Sequence, residues 1–196
     1  RWTKGIVAHV FSQQTIDELA TWSNVPVINA LSDRYHPCQA LADVFTLKER
    51  FGELKGLKLA YIGDGNNVAH SLLLSASRLG IHMAVSTPAG YEPNMNIVAQ
   101  AAEFALSSGS RIEITHDPVS AVNGAAAVYT DVWASMGQEQ QADSRRRVFQ
   151  PFQVDADLMA AAAPDALFMH CMPMKRGEEA TDGVAESKTS VIFDQA

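Results

Sequence analysis

Short apolar, β-branched segments alternate with longer helical patterns along most of the chain. Helical periodicity runs through residues 12–21, 38–51, 67–79, 95–107 and 119–122. Strand-like runs occupy residues 5–11, 25–29, 57–63, 81–86, 111–115, 126–130, 167–170 and 190–193. Strands and helices that alternate in this way build a parallel sheet with crossover helices. The sequence therefore predicts an α/β fold with a Rossmann-like parallel sheet and helices on both faces.

The composition limits the classes of partner. Of the 196 residues, 47% are hydrophobic and 19% are charged, and the formal net charge is −7. The densest basic run, residues 145–147, lies among acidic and amide residues, so we expect no nucleic-acid and no membrane partner. No apolar run approaches the ~20 residues that a membrane-spanning helix requires. Two cysteines, Cys38 and Cys171, form no disulfide framework and fit a reducing compartment.

Residues 131–150 interrupt the alternation and are predicted to form a long polar loop. A long loop after a strand is where ligands usually bind in an open α/β sheet. Four short polar clusters lie near predicted strand ends or helix starts, at residues 36–39, 63–67, 131–137 and 170–173. Because the carboxyl ends of parallel strands face one crevice, we expect these clusters to converge there.

The glycine cluster allows two interpretations. Gly63-x-Gly65 between a strand and a helix is compatible with a dinucleotide-binding loop. However, Val68 occupies the third glycine position, and the next strand ends without the acidic residue that binds a ribose. We favour a tight turn that brings Asn66 and Asn67 to the crevice. A simple turn with asparagine in left-handed geometry is the alternative.

The two histidine–cysteine pairs raise the question of a metal site. His36-x-Cys38 and His170-Cys171 do not match the usual zinc spacings, since adjacent residues of a strand point to opposite faces. We therefore expect no metal and no other cofactor. A lone buried cysteine is most often a small apolar core residue, and that alternative stays open for Cys171.

Asp131 and Ser135 suggest an amino-acid site. A carboxylate and a hydroxyl four residues apart in a loop can bind an ammonium group, and backbone N–H groups near Gly137 can bind a carboxylate. Together these are the groups that a free α-amino acid requires. Taken alone, an aspartate at a strand end is more often a helix cap or a turn residue.

Taken together, the four clusters resemble the aspartate/ornithine carbamoyltransferase family, and its ornithine branch in particular. The segment from Ser32 to Asp43 resembles the family's His-Pro-x-Gln segment. Ser135-Met136-Gly137 and His170-Cys171-Met172-Pro173 resemble the two hallmark segments of the ornithine enzymes. The resemblance runs along nearly the whole chain, with the clusters in the same order and at the same spacing.

The resemblance implies a role for each cluster in carbamoyl transfer from carbamoyl phosphate to L-ornithine, without a cofactor. His36 and Gln39 would contact the carbamoyl group, and backbone carbonyls of Cys171 and Met172 would accept from its NH₂. The same resemblance implies an ornithine site. Asn67 and the Met136 backbone would bind the α-carboxylate of ornithine, and Asp131 with Ser135 would bind its α-ammonium group. Cys171 would lie beside the side-chain amine and orient it. The loop after Asp131 would close over ornithine.

Some features depart from the family pattern. The family's phosphate-binding Ser-x-Arg-Thr segment is missing, and a further arginine expected after residue 196 lies beyond the chain. Met174 and Lys175 replace more usual residues, and Arg176 is a candidate to serve there. We therefore expect the 196-residue chain to bind carbamoyl phosphate poorly and to turn over little or not at all.

Other functions stay open at this point. A nicotinamide-dependent oxidoreductase would explain Gly63-x-Gly65 but lacks the acid that binds the ribose. A non-catalytic paralogue would keep the fold while losing the site residues. A related carbamoyltransferase would use putrescine or an N-acylated ornithine, and Asp131 with Ser135 favours a free α-amino group over either.

The resemblance also suggests how the chain is organised. Residues 1–50 would be the tail of the carbamoyl-phosphate-binding domain with the interdomain helix, and residues 51–196 the ornithine-binding domain. The first part is thus the C-terminal part of a second α/β domain, and we expect more chain upstream of Arg1. A missing half-domain predicts exposed apolar surface on residues 5–11 and 25–29. A homotrimer in the cytoplasm, or in the mitochondrial matrix of a eukaryote, is the expected assembly and location.

Overall fold

A computed structural model describes residues 2–135 and 137–195, apart from the side chain of Glu139. Its strands are β1 Ile6–His9, β2 Val27–Leu31, β3 Lys58–Ile62, β4 His82–Ser86, β5 Ile112–Thr115, β6 Ala127–Thr130 and β7 Leu167–His170. Its helices are α1 Gln13–Trp22, α2 Pro37–Phe51, α3 Asn67–Leu79, α4 Met95–Ser108, α5 Pro118–Val122, α6 Ala142–Phe149, α7 Ala156–Ala160 and α8 Asp182–Ala185, with 3₁₀ turns at Glu139–Gln141 and Gln150–Phe152.

The larger sheet has five parallel strands in the order β5-β4-β3-β6-β7. Alternate residues of each strand enter two separate cores. On one face, Leu59, Tyr61 and their neighbours pack against α2, α3 and α4. On the other face, Ala60 and Ile62 pack against α5, α7 and α8. The predicted parallel sheet with helices on both faces is confirmed.

The smaller sheet pairs β1 with β2 in parallel, next to α1 and α2. Large apolar side chains in its strands and just after β1 are exposed: Val7 at 68%, Ile28 at 51% and Phe11 at 59%. This confirms the expected exposed apolar surface. Ser12 caps α1, as predicted, by accepting from the Gln14 N–H.

Two sequence predictions about secondary structure are wrong. Residues 190–193 form no strand, because after a single bridge from Ser190 to Phe168 the chain turns, with Asp194 and Gln195 donating to the Val191 carbonyl. Residues 131–150 are not all loop, since they contain α6. The helix was hard to recognise because its buried side chains include a charged one, Arg145.

The order of the strands creates a crevice at one edge of the sheet. The chain runs from β3 outward to β4 and β5, then crosses back to β6 on the opposite side of β3. Ligands bind at such a reversal point in open α/β sheets, outside the carboxyl ends of the strands. Here the Thr130 hydroxyl donates to the Ile62 carbonyl at 2.7 Å and holds the two strand ends together.

Within the described ranges, no helix is long and apolar enough to span a bilayer.

Candidate active site at the carboxyl edge of the sheet

A cleft of about 880 Å³ lies at the carboxyl ends of β3 and β6 and reaches the smaller sheet. All four polar clusters contribute to its walls, through His36, Asn67, Asp131, Ser135, Cys171 and Met172. The expected convergence of the clusters is thus found in the structure. Gln39 and Arg176 are not among the residues that line the cleft.

Asp131 is the centre of the polar network in this cleft. It follows the last residue of β6 and is only 6% exposed. One carboxylate oxygen accepts from Asn66 Nδ2 at 2.7 Å, and the other accepts from Cys171 Sγ at 3.1 Å and from the Val132 N–H at 2.7 Å. A carboxylate held in this way from several directions is preorganised to meet a cation.

Cys171 follows β7 and faces Asp131 from the neighbouring strand end. Burial raises the pKa of the Cys171 thiol well above its usual range, and the negative charge of Asp131 raises the pKa further. The sulfur therefore stays protonated at neutral pH and acts as a hydrogen-bond donor. This agrees with an orienting role and disfavours a nucleophilic one.

Asn66 and Asn67 begin α3 and have different partners. Asn66 Oδ1 accepts from the backbone N–H groups of Val68 and Ala69 and caps the helix, while its amide nitrogen reaches Asp131. Asn67 Nδ2 donates to the Ser32 carbonyl at 2.8 Å and so connects the two parts of the chain. The tight-turn interpretation of the glycine cluster agrees with this geometry. The sequence did not identify Asn66 as the direct partner of Asp131.

His36 lies at the start of α2 and lines the cleft. Its backbone N–H donates to Ser71 Oγ on α3 at 2.8 Å. Burial lowers the pKa of the His36 imidazole below its ordinary value of about 6.5, so the ring is mainly neutral at pH 7. A neutral imidazole can donate one hydrogen bond into the cleft without adding a charge.

Gln39 lies in the first turn of α2, shortly after His36, and is not among the residues that line the cleft. Its amide nitrogen donates to Asp43 Oδ1 at 2.9 Å, and Gln195 donates to the same oxygen at 2.8 Å. Asp43 is completely buried, and burial raises the pKa of its carboxyl group to about 7. A Gln39 amide fixed in this way still has its carbonyl oxygen and one N–H for another partner.

A buried ion pair that sequence reasoning missed closes one side of the cleft. Arg145 on α6 donates to Asp64 Oδ2 and to the Trp133 carbonyl, both at 2.8 Å. Its guanidinium also lies over the Tyr91 ring, 4.9 Å from the ring centroid. Burial raises the pKa of Asp64, although Arg145 opposes the shift. The arginine therefore fixes the segment after Asp131. No sequence signal pointed to this ion pair, because Arg145 stands among other polar residues in the chain.

The remaining predicted residues are placed as follows. Ser135 lines the cleft, and its buried hydroxyl has no hydrogen-bond partner among the residues that the structure describes. Met136 lies outside the described residues, so its predicted role stays a prediction. Arg176 forms ion pairs with Asp182 and Glu186 at the surface. The neighbouring Lys175 lines the cleft instead.

Asp131, His170 and Cys171 have potential metal-ligand atoms within 4.8 Å of one another. These atoms already have protein partners. The Cys171 thiol donates to Asp131, and the two His170 ring nitrogens face the Met172 N–H and Glu179. We therefore interpret the cluster as a hydrogen-bonded network.

The fold and the cleft define an α/β protein with a polar cleft at the reversal point of a parallel sheet. Residues 55–196 match the family model of the aspartate/ornithine carbamoyltransferase Asp/Orn binding domain, and residues 1–49 match the carbamoyl-P binding domain. The chain belongs to the aspartate/ornithine carbamoyltransferase family.

Individual relatives give a more specific likeness. The chain is 53% identical over 196 residues to the ornithine carbamoyltransferase of Thermococcus kodakarensis, covering 100% of this chain and 62% of the relative. The solved structure of the ornithine carbamoyltransferase from Pyrococcus furiosus superimposes with a TM-score of 0.96 at 52% identity, over 100% of this chain and 62% of that one. An acetylornithine transcarbamylase complexed with acetylcitrulline shares 30% identity at a TM-score of 0.88, over 100% of this chain and 64% of that one. The chain thus spans about 62% of the length of the ornithine carbamoyltransferase from Thermococcus.

Proposed function

We propose that the protein to which this chain belongs transfers the carbamoyl group of carbamoyl phosphate to the side-chain amine of L-ornithine, giving L-citrulline and phosphate. One observation carries the proposal: the Asp131 carboxylate and the Cys171 thiol meet at 3.1 Å in the cleft that His36 also lines. The similarity to ornithine carbamoyltransferases over the whole chain supports it.

The ornithine α-ammonium group would bind between Asp131 and Ser135. Asp131 supplies a buried negative charge, and the Ser135 hydroxyl has no described protein partner to lose. The α-carboxylate would bind at Asn67, whose amide uses one N–H for Ser32 and keeps the other. The backbone of Met136 would complete this end of the site, as the resemblance implies.

The carbamoyl group would bind between His36, Gln39 and the backbone carbonyls of Cys171 and Met172. Ornithine with its side-chain amine deprotonated then attacks the carbamoyl carbon. The tetrahedral intermediate expels phosphate, and the departing phosphate takes up the further proton that the amine nitrogen loses. Binding both substrates in one cleft makes the step effectively unimolecular, which is worth up to about 7–11 kcal/mol. A donor such as neutral His36 would stabilise the developing oxyanion, an effect worth roughly 3–4 kcal/mol.

A carbamoyltransferase for another amine is the second candidate. The acetylornithine transcarbamylase among the structural relatives makes an N-acylated substrate the specific alternative. An N-acyl group has no positive charge, so it would leave the buried Asp131 carboxylate without a cationic partner. Putrescine has no α-carboxylate for Asn67. The geometry therefore favours ornithine.

Calorimetric titration tests the proposal directly. L-ornithine, putrescine and N-acetylornithine are titrated separately into the chain, with and without inorganic phosphate or a carbamoyl-phosphate analogue. We expect ornithine to bind, and Asp131→Ala to weaken binding by about tenfold to a hundredfold, because a hydrogen bond to a charged group is lost. Glu103→Gln, an exposed carboxylate on α4, is the control.

The outcomes separate the candidates. Binding of N-acetylornithine or putrescine in place of ornithine would reassign the substrate. Unchanged ornithine binding by Asp131→Ala would contradict the proposed site. Citrulline formation is measured in parallel, and rapid turnover by the 196-residue chain would contradict the expectation that this chain is weakly active.

We also propose that the protein is a cytoplasmic homotrimer that acts in arginine biosynthesis. Exposed apolar side chains such as Val7, Trp22 and Ile28 support association with further protein surface. Light scattering coupled to gel filtration tests the assembly, and a monodisperse monomer of the complete protein would contradict it.

A further inference from the structure

A fully buried histidine and glutamate lie directly behind the wall of the cleft. His170 ends β7, and Glu179 lies nine residues further along; both are 0% exposed. His170 Nε2 is 3.1 Å from Glu179 Oε1. Neither residue lines the cleft, whereas Cys171, Met172 and Lys175, which lie between them in the chain, all do.

The hydrogen bonds determine which His170 nitrogen carries the proton. The Met172 N–H donates to His170 Nδ1 at 2.9 Å, so this nitrogen must present its lone pair. The single proton of the neutral ring therefore lies on Nε2 and is donated to Glu179 Oε1. The same oxygen accepts from the Lys175 N–H at 2.6 Å. Glu179 thus selects the tautomer of His170, and His170 in turn holds the backbone of Met172.

Met172 needs such support because of its backbone conformation. Its φ is 56°, in the left-handed region that a residue with a Cβ rarely adopts. A backbone conformation of this kind persists only where the surroundings determine it, and it occurs often at functional sites. The hydrogen bond from the Met172 N–H to His170 fixes one end of this turn, and the bond from the Lys175 N–H to Glu179 fixes the other.

Stability alone gives a poor explanation for this pair. Burying a carboxyl group is costly unless its oxygens are satisfied, and Glu179 Oε2 has no hydrogen-bond partner among the described residues. Apolar side chains of similar size would fill the same space at lower cost. The presence of the pair is explained better by its effect on the conformation of the cleft wall.

We propose that His170 and Glu179 are positioning residues that fix the Cys171–Met172 backbone, so that its carbonyls face the carbamoyl group and the Cys171 thiol faces Asp131. This inference rests on the proposed carbamoyl transfer for its catalytic consequence. The tautomer and the fixed Met172 N–H do not depend on that function. The two parts can therefore be tested separately.

The first measurement concerns only the structure. Long-range ¹H–¹⁵N correlation spectra of the histidine rings are recorded for the chain at neutral pH. We expect His170, assigned by its loss in His170→Asn, to carry its proton on Nε2 and to leave Nδ1 unprotonated, because Nδ1 accepts from the Met172 N–H. A protonated Nδ1, in either a neutral or a cationic ring, would overturn the proposal.

The second measurement compares two matched substitutions at His170. Asparagine places an oxygen near the position of Nδ1 and keeps an acceptor for the Met172 N–H, whereas glutamine reaches toward Glu179 and loses that acceptor. We expect the Met172 amide to exchange with solvent about tenfold or more faster in His170→Gln than in His170→Asn. Urea unfolding of both variants checks that their global stabilities match. Equal exchange in two equally stable variants would overturn the proposal.

The catalytic consequence is measured on the complete protein. We expect His170→Gln to lower kcat for citrulline formation by about a hundredfold, since a misplacement of about 1 Å can have that effect, with KM for ornithine little changed. His170→Asn should keep most of the activity, and Glu179→Gln should lie between them because it can still accept from Nε2. Equal losses in both His170 variants would contradict the positioning role. An inactive wild-type protein whose His170 tautomer and Met172 exchange behave as expected would contradict the proposed function alone.

Discussion

The Cys171 thiol donates a hydrogen bond to the Asp131 carboxylate across the ends of two neighbouring parallel strands, at 3.1 Å. The two residues are 40 positions apart in the chain. Their pairing places a protonated sulfur and a negative charge side by side at the base of the cleft. The chemistry of each residue therefore depends on the other.

Replacing Asp131 by asparagine should make Cys171 more acidic. The Asp131 charge raises the pKa of the thiol, so its removal lowers that pKa toward the ordinary value of about 8.5 and increases the thiolate fraction at a given pH. The rate of alkylation against pH, measured in a Cys38→Ser background so that only Cys171 reacts, should shift to lower pH. A profile identical to that of Cys38→Ser alone would show that Asp131 has no such influence.

Breaking the buried pair of Asp64 and Arg145 should strongly destabilise the fold. Arg145→Met leaves the Asp64 carboxylate buried without its partner, which costs about 3–5 kcal/mol in the free energy of unfolding. The double variant with Asp64→Asn should recover part of the loss, as urea unfolding can measure. Arg146→Met is the control, because solvent screens its exposed pairs with Asp143 and Glu178, so they contribute little to the free energy of unfolding. Equal losses for Arg145→Met and Arg146→Met would refute the prediction.

Asp43 should make the protein less stable as the pH rises toward neutrality. Its pKa is about 7 in the folded state and about 3.9 in the unfolded chain, so the folded state binds the proton more tightly in this interval. The free energy of unfolding contributed by Asp43 therefore falls as the pH rises from about 4 to about 7, by at most about 4 kcal/mol.

Asp43→Asn cannot ionise and keeps an acceptor oxygen for Gln39. The stability of Asp43→Asn relative to the wild type should therefore increase across that interval, as measured by denaturant unfolding at several pH values. Glu49→Gln, an exposed change on the same helix, should show no such trend. A pH-independent difference for Asp43→Asn would contradict the assignment.

Gly65→Ala should disturb the cleft through a steric clash. A Cβ at this position would lie 2.6 Å from the Tyr91 carbonyl oxygen and even closer to the Pro93 nitrogen. Backbone atoms cannot move aside as a side-chain end can, so we expect a loss of about 1–3 kcal/mol in the free energy of unfolding. Gly183→Ala on α8 meets no atom within 4 Å and should be neutral or stabilising by up to about 1 kcal/mol. A tolerated alanine at position 65 would mean that the segment 91–93 moves freely.

Local sequence signals were sufficient for most of the regular elements. The range predicted for the helix Asn67–Leu79 is the observed one, because Asn66 caps its start and Gly80, with φ 77°, ends it. The strands of the large sheet were recognisable from short apolar runs that are buried on both faces. The short helices Ala156–Ala160 and Asp182–Ala185 escaped notice because they are too brief for a periodic pattern.

The sequence by itself determined the parallel α/β fold and the polar clusters that line the cleft, because hydrophobic period, caps and turn residues are local properties. Only the tertiary structure decided the partners within that cleft. Asp131 with Asn66, Arg145 with Asp64, and His170 with Glu179 meet through the order of the strands and the packing of α6. The tautomer of His170 and the pKa values of Cys171 and Asp43 follow from burial and from these partners. Neither the burial of a polar side chain nor a partner distant along the chain is encoded in any local pattern.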